Sequence, residues 1–146
     1  LGDVYKRQHV YGSYPALYEI DNSWDGFKWL NVNDNAFSSI AFLRSARPEQ
    51  NSYLICACNF IPNEHKNFII GLPMPGRLRE ILSSDDAKFG GSGLHNVKTL
   101  RSRDTGFDDL PYSASIDLPP LSAVYFEYIP ERMTEENEKA VQKHSK

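Results

Sequence analysis

Short apolar runs, several of them alternating with polar residues, recur along the chain between positions 39 and 128. Apolar residues at every second position are typical of a strand with one buried face. The clearest example is YSASIDL at 112–118, where the residues predicted to face the core are Tyr112, Ala114, Ile116 and Leu118. The pattern predicts strands at 39–44, 53–60, 67–71, 76–82, 112–118 and 121–128.

These strands are short, and turns rich in proline or glycine separate them. The run 53–60 is apolar on both faces, which predicts a central position in a sheet. No segment with helical periodicity lies among the strands, so the fold class is predicted to be all-β, an antiparallel β-sandwich. A weak helical pattern over 9–20 precedes the sandwich and ends at the polar residues 21–23.

The chain is predicted to have four parts. Residues 1–8, LGDVYKRQ, show no apolar periodicity and are interpreted as a non-native scar. Residues 9–22 form a short helical segment, and residues 23–130 form the all-β domain. Residues 131–146 are rich in charge and poor in apolar side chains, which predicts a flexible tail.

Composition and charge narrow the classes of partner. The chain has 146 residues, of which 40% are hydrophobic, enough to fill the core of one domain. Its net charge of −3 argues against a nucleic-acid partner, which needs a basic surface. No apolar run approaches the ~18 residues of a membrane span, and no secretory leader is evident, so a cytoplasmic protein without a membrane partner is predicted.

Cys56 and Cys58 lie two residues apart in a predicted strand. Their side chains should point to the same face with Cα atoms about 6.6 Å apart, which is near the upper limit for a disulfide. A metal site would need further ligands at suitable spacing. Both cysteines are therefore predicted to be reduced, buried and inert, and no metal or cofactor is expected.

The glycine-rich stretch FGGSGLHN at 89–96 invites comparison with phosphate-binding loops. It lacks the Lys-Ser/Thr of a P-loop, and Asn96 stands where a dinucleotide fingerprint requires glycine. An irregular loop whose glycines supply positive φ angles is the simpler interpretation.

No catalytic group is predicted in this chain. The four histidines, at 9, 65, 95 and 144, are interpreted as loop or tail residues, so pairing of His95 with Ser92 in a catalytic dyad is not favoured. The adjacent carboxylates at 85–86 and 108–109 are interpreted as solvated, because glycosidic chemistry requires two carboxylates across a cleft.

Trp24, Phe27 and Trp29 form an aromatic cluster ahead of the first predicted strand. Such rings can stack on sugars, or they can form the apolar contact through which a β-domain docks on a neighbour. Docking is the favoured interpretation, and both remain open from the sequence.

Several segments, in this order along the chain, resemble 1,4-α-glucan branching enzymes of the α-amylase superfamily. They are YPALYEID at 14–21, GFKWL at 26–30, ND at 33–34, CNFIP at 58–62, PGRLREILSSD at 75–85, GGSG at 90–93 and YSASIDLPPL at 112–121. The chain departs from the family pattern at Lys28, Cys58 and Ile61, where an acidic residue, a small residue and threonine are usual.

The resemblance implies that residues 9–22 are the remnant of the last helix of a (β/α)8 barrel and that 23–130 are the C-terminal all-β domain. It implies α-glucan and the upstream barrel as partners, and transfer of a cleaved α-1,4 chain to an α-1,6 branch as the parent's activity. The catalytic carboxylates of the family lie on barrel strands upstream of these segments, so none is assigned here, and the chain alone is predicted to be inactive.

Two alternatives remain from the sequence. The chain could be a stand-alone carbohydrate-binding sandwich, or the C-terminal domain of another enzyme of the same superfamily, because this domain carries little reaction specificity.

Overall fold

A computed structural model provides the structure of residues 2–131. One α-helix, α1 at Gly2–Ser13, precedes eight strands in this part of the chain. The strands are β1 Phe27–Asp34, β2 Ser39–Ser45, β3 Tyr53–Asn59, β4 His65–Leu72, β5 Gly76–Ser83, β6 Leu100–Arg101, β7 Tyr112–Leu118 and β8 Ser122–Pro130. Single 3₁₀ turns lie at Pro15–Leu17, Trp24–Gly26, Pro48–Gln50 and Ala87–Phe89.

The strands form two antiparallel sheets. The large sheet has the order β1-β2-β3-β8-β5-β6, and β4 pairs with β7 in the small sheet. Strand β3 therefore lies between β2 and β8, as its two apolar faces predict. The predicted antiparallel β-sandwich is confirmed.

The main core fills the space between the two sheets. On the large sheet it includes Leu43, Ile55 and Phe126, and on the small sheet Phe68 and Ile116, all at most 5% exposed. The four residues of β7 that alternation assigns to the core are all buried. Each fully buried side chain of this size contributes about 2 kcal/mol to folding, so the sandwich has a substantial core of its own.

The large sheet also has an outer face, turned away from the small sheet. Residues paired across strands share a face, and the outer face of β2, β3 and β8 carries the rows Phe42–Cys56–Tyr125 and Arg44–Leu54–Glu127. This outer face carries the aromatic rings and the two cysteines described below.

All six predicted strands are present, within a few residues of their predicted ends. Two further strands, β1 and β6, were not predicted. Strand β6 has only two residues, and β1 contains register shifts between Trp29 and Asn31 and between Asn31 and Asp34. These irregularities disrupt the alternation by which a strand is recognised in sequence.

The helical segment differs from its prediction. It covers Gly2–Ser13 and not 9–20, because Tyr14 precedes a proline and adopts an extended conformation (φ −120°, ψ 99°). The assignments of residues 1–8 as a scar and of 9–22 as a barrel remnant stay predictions. The predicted flexible tail, except for its first residue, lies outside the described residues.

The two cysteines are free and share the outer face of β3, as predicted. Cys56 is buried, at 4% exposed. Cys58, however, is partly exposed, so its prediction as a buried thiol is wrong. Its neighbours across the sheet, Ile40 and Ala123, are partly exposed as well, which explains why this end of the face is open.

Candidate functional site: the outer face of the large sheet

Four aromatic rings form a continuous patch on the outer face, called here the aromatic patch: Trp24, Phe27, Trp29 and Phe42. The Phe27 ring lies edge-on to Trp29 at 4.9 Å and stacks on Phe42 at 5.3 Å between centroids. Trp24 is 81% exposed and Trp29 47%. The structure thus brings the three sequence-predicted rings together and adds Phe42, which sequence reasoning missed.

Strand pairing explains the arrangement. Trp29 lies opposite Phe42 and Phe27 lies opposite Arg44, so both rings of β1 project to the outer face. Trp24 comes from the 3₁₀ turn that leads into β1, where Ser23 caps the turn by accepting a hydrogen bond from the Asp25 N–H. Large aromatic rings that are partly or mostly exposed on a sheet face are typical of a docking or ligand-binding surface.

The segment before β1 is fixed on the same face. Ala16 is fully buried above β2 and β3, and Leu54 beneath this segment is also 0% exposed. The Arg44 guanidinium donates hydrogen bonds to the Asp21 carboxylate at 2.8 Å and to the Ile20 carbonyl at 3.4 Å. The Arg47 N–H donates to the Glu19 carboxylate at 2.9 Å. The N-terminal segment therefore packs beside the aromatic patch as a partial third layer.

The glycine-rich stretch forms a closed loop around Asp85. Its carboxylate accepts hydrogen bonds from the N–H groups of Ser92 (3.1 Å) and Leu94 (3.2 Å) and from the Ser92 hydroxyl. Burial raises the pKa of Asp85, but these hydrogen bonds outweigh burial and hold that pKa below its ordinary value. The N–H groups of Ser92 and Leu94 therefore bind a carboxylate of the chain itself and are not directed at an external anion.

The second part of the loop is fixed by Glu80. Its carboxylate contacts His95 Nδ1 at 2.6 Å and accepts hydrogen bonds from the backbone and side-chain N–H groups of Asn96 at 2.9 and 3.0 Å. Asn96 also pairs with the backbone of Asp117 on β7. His95 is thus bound to Glu80 and not to Ser92, which agrees with rejection of the dyad.

A second histidine, His65, was wrongly assigned to a loop: it begins β4 and is 7% exposed. His9 likewise lies in α1, and His144 lies outside the described residues. His65 Nδ1 is 2.9 Å from the Ser39 hydroxyl, and its Nε2 is 3.4 Å from the Asp34 carboxylate. Although these three residue types occur in hydrolases, Ser39 is only 1% exposed and cannot reach a substrate.

His65 borders an open cleft of about 330 Å³ between β1 and β4. Phe107 and Ile69 contribute apolar surface there, and Asn33 and Asn67 contribute amides. Across residues 2–131, no three of the side chains His, Cys, Asp and Glu come together as a candidate metal site. Within the same residues, no helix has both the length and the apolar character needed to cross a membrane.

Comparison with known families accounts for the architecture. The family model described as "Alpha amylase, C-terminal all-beta domain" matches residues 29–129. The chain belongs to this family. The match begins two residues into β1 and ends one residue before the end of β8, so the two sheets described above are the all-β domain of the family.

Curated relatives of this α-amylase C-terminal domain are named 1,4-alpha-glucan branching enzyme GlgB. The protein from Trichodesmium erythraeum is 39% identical over 119 residues, which is 82% of this chain and 15% of the relative. That from Myxococcus xanthus is 37% identical over 117 residues, 80% of this chain and 16% of the relative. That from Albidiferax ferrireducens is 37% identical over 127 residues, 87% of this chain and 20% of the relative.

These matches confirm the predicted resemblance to the C-terminal part of branching enzymes. The chain spans between 15% and 20% of the length of these three relatives.

Proposed function

We propose that this chain is the C-terminal domain of a 1,4-α-glucan branching enzyme of glycogen biosynthesis and that the aromatic patch on its outer face packs against an upstream (β/α)8 barrel. The parent enzyme cleaves an α-1,4 glucan linkage and transfers the freed chain to form an α-1,6 branch. In this proposal the chain supports the barrel and helps to hold α-glucan.

The observation that carries the proposal is the position of the aromatic patch beside the N-terminal segment. Trp24 and Trp29 project from a sheet face that residues 14–26 already cover in part. A domain that precedes this segment in the chain would meet the patch directly. The rings would then pass from water into an apolar interface, which favours docking over an isolated module.

The test is Trp29→Ala, made both in this chain and in a protein that carries the barrel as well. Full burial of one large aromatic side chain is worth roughly 3 kcal/mol, so the substitution should destabilise the longer protein by about that amount. In this chain, where Trp29 is 47% exposed, the loss should be about 1 kcal/mol or less. Urea midpoints of the two matched pairs measure the difference.

A suitable control is Phe60→Ala, since Phe60 is an exposed ring (59%) outside the patch. Phe60→Ala should lower the free energy of unfolding of this chain only slightly. This result would show that truncating an exposed ring is harmless in itself. Equal losses for Trp29→Ala in both proteins would place Trp29 in the sandwich core and reject docking.

A second candidate function, a sugar-stacking platform, is favoured by the same exposed tryptophans. Flat rings beside polar groups bind the apolar faces of glucose units. Quenching of tryptophan fluorescence by a linear maltooligosaccharide, lost in Trp24→Ala and Trp29→Ala, would favour this function. Unchanged stability of both variants in the longer protein would separate it from docking.

The chain alone is proposed to be inactive as a branching enzyme. Retaining glycosidic chemistry uses two carboxylates about 5–5.5 Å apart across the scissile bond, which the family places on barrel strands. Incubation of the purified chain with amylose should leave iodine staining and α-1,6 linkage content unchanged. Any turnover above a blank contradicts this expectation.

The proposed location is cytoplasmic. The proposed partners are α-glucan and the upstream barrel, without a nucleic acid or a membrane, in accord with the net charge of −3.

A further inference from the structure

The two thiols of β3 are in contact, and they differ in their exposure to solvent. Cys56 Sγ and Cys58 Sγ are 3.9 Å apart on the outer face. Cys56 is 4% exposed, whereas Cys58 is partly exposed in a row with Ile40 and Ala123. Cys58 is therefore the more accessible of the two residues to a small solute.

The contact also makes the two thiols chemically different. A hydrogen bond from the Cys56 thiol lowers the pKa of Cys58, although burial opposes the shift. The same hydrogen bond, together with burial, raises the pKa of Cys56. Because the thiolate is the nucleophile in thiol chemistry, Cys58 is the more reactive sulfur, and Cys56 can donate a hydrogen bond to its thiolate.

The backbone opposes a disulfide between the two residues. Two residues apart on a strand, their Cα atoms are separated by about 6.6 Å, near the upper limit of about 6.8 Å for a disulfide. Strands β2 and β8 pair with β3 on both sides at these positions. Closing the sulfur gap from 3.9 Å to about 2.05 Å would distort a central strand.

We propose that Cys58 is a site of S-thiolation, which exchanges with low-molecular-weight disulfides and retains the adduct as a mixed disulfide. Cys58 first loses its proton to solvent, and the thiolate attacks one sulfur of the disulfide. One sulfur–sulfur bond breaks as the bond to Cys58 forms, and the departing thiolate takes up a proton. The external disulfide is the oxidant, and Cys56 does not resolve the adduct, because it is protonated and held by the sheet.

The experiment treats the reduced native chain with oxidised glutathione and follows intact mass after acid quenching, with peptide mapping of the product. We expect one glutathione per chain, bound to Cys58, and no adduct on Cys56. A chain unfolded in urea should become modified at both cysteines. Three outcomes would overturn the proposal. They are modification of Cys56 before Cys58, an intrachain disulfide as the main product, and adducts that form only in urea.

Two substitutions at position 56 test the role of the donor. Cys56→Ala removes the hydrogen bond and, at a pH below the pKa of the Cys58 thiol, should slow its reaction roughly two- to threefold, because the loss of thiolate is partly offset by its greater nucleophilicity. Cys56→Ser retains a donor and should react about twice as fast as Cys56→Ala or faster. Cys58→Ser should form no adduct in the native state. Equal rates for the wild type and Cys56→Ala would refute the role of Cys56, whether or not the serine variant folds.

Discussion

Asn59 offers the sharpest test of how the sandwich is held together at one end. It is 1% exposed at the last position of β3, within the CNFIP segment. Its side-chain N–H groups donate to the carbonyls of Asn63 (2.8 Å) and Pro119 (2.9 Å), and its Oδ1 accepts from the Ile61 N–H at 3.2 Å. One side chain thus joins the turn after β3 to the turn before β8.

The Asn59→Ala substitution removes three hydrogen bonds, of which the one to the Pro119 carbonyl is buried and the other two are partly buried. At about 1 kcal/mol net for each bond, the free energy of unfolding should fall by roughly 3 kcal/mol. For a domain of this size that corresponds to a fall of about 10 °C in the midpoint of thermal unfolding. Asn59→Asp should be at least as harmful, since it places a carboxylate against two carbonyl oxygens.

Urea unfolding followed by circular dichroism measures the change, and the slope with urea should stay constant while the midpoint falls. Asn33→Ala, at an exposed asparagine of β1, is the matched control and should change the free energy by about 0.5 kcal/mol or less. If Asn59→Ala loses less than about 1 kcal/mol, water replaces the side chain and the inferred junction is wrong.

Two further predictions concern the loop around Asp85. Gly91→Ala should destabilise the chain by about 2 kcal/mol in urea unfolding, because an added Cβ would lie 2.1 Å from the Asp85 carbonyl oxygen. Gly12 lies on α1, where an added Cβ meets open space, so Gly12→Ala should not lower the free energy of unfolding. Equal changes in the free energy of unfolding for Gly91→Ala and Gly12→Ala would contradict the predicted clash at Gly91. Since the folded pKa of Asp85 is lowered, its contribution is present above the unfolded pKa of about 4 and is lost as pH falls through the folded pKa. Asp85→Asn should therefore lower the thermal midpoint more at pH 7 than at pH 3, and an equal shift at both would refute the role of its charge.

Regular alternation made most of the fold predictable from the sequence. YSASIDL gave one register for β7, because a shift by one residue would expose all of its apolar side chains. Strand β1 does not alternate: its irregular pairing leaves adjacent Leu30 and Asn31 both buried. The end of α1 was misplaced for a different reason, because the proline at 15 limits the helix more strongly than the weak apolar pattern extends it.

The candidate site was predictable only in part. Trp24, Phe27 and Trp29 are close in sequence, but Phe42 joins them through the pairing of β1 with β2. The contact between Ser39 and His65 spans 26 residues, which no local pattern reveals. The spacing of the cysteines predicted a shared face, whereas the partial exposure of Cys58 depends on small neighbours in other strands.

The two faces of the large sheet explain why its outer side carries the features of interest. The small sheet completes the inner side and buries its apolar residues. On the outer side, residues 14–26 bury Leu54 fully but leave Trp29 47% exposed. A β-sheet with apolar residues on both faces is stable when a layer covers each of them. Residues 14–26 thus cover only part of the outer face, and the aromatic patch is the area that the proposed barrel would cover.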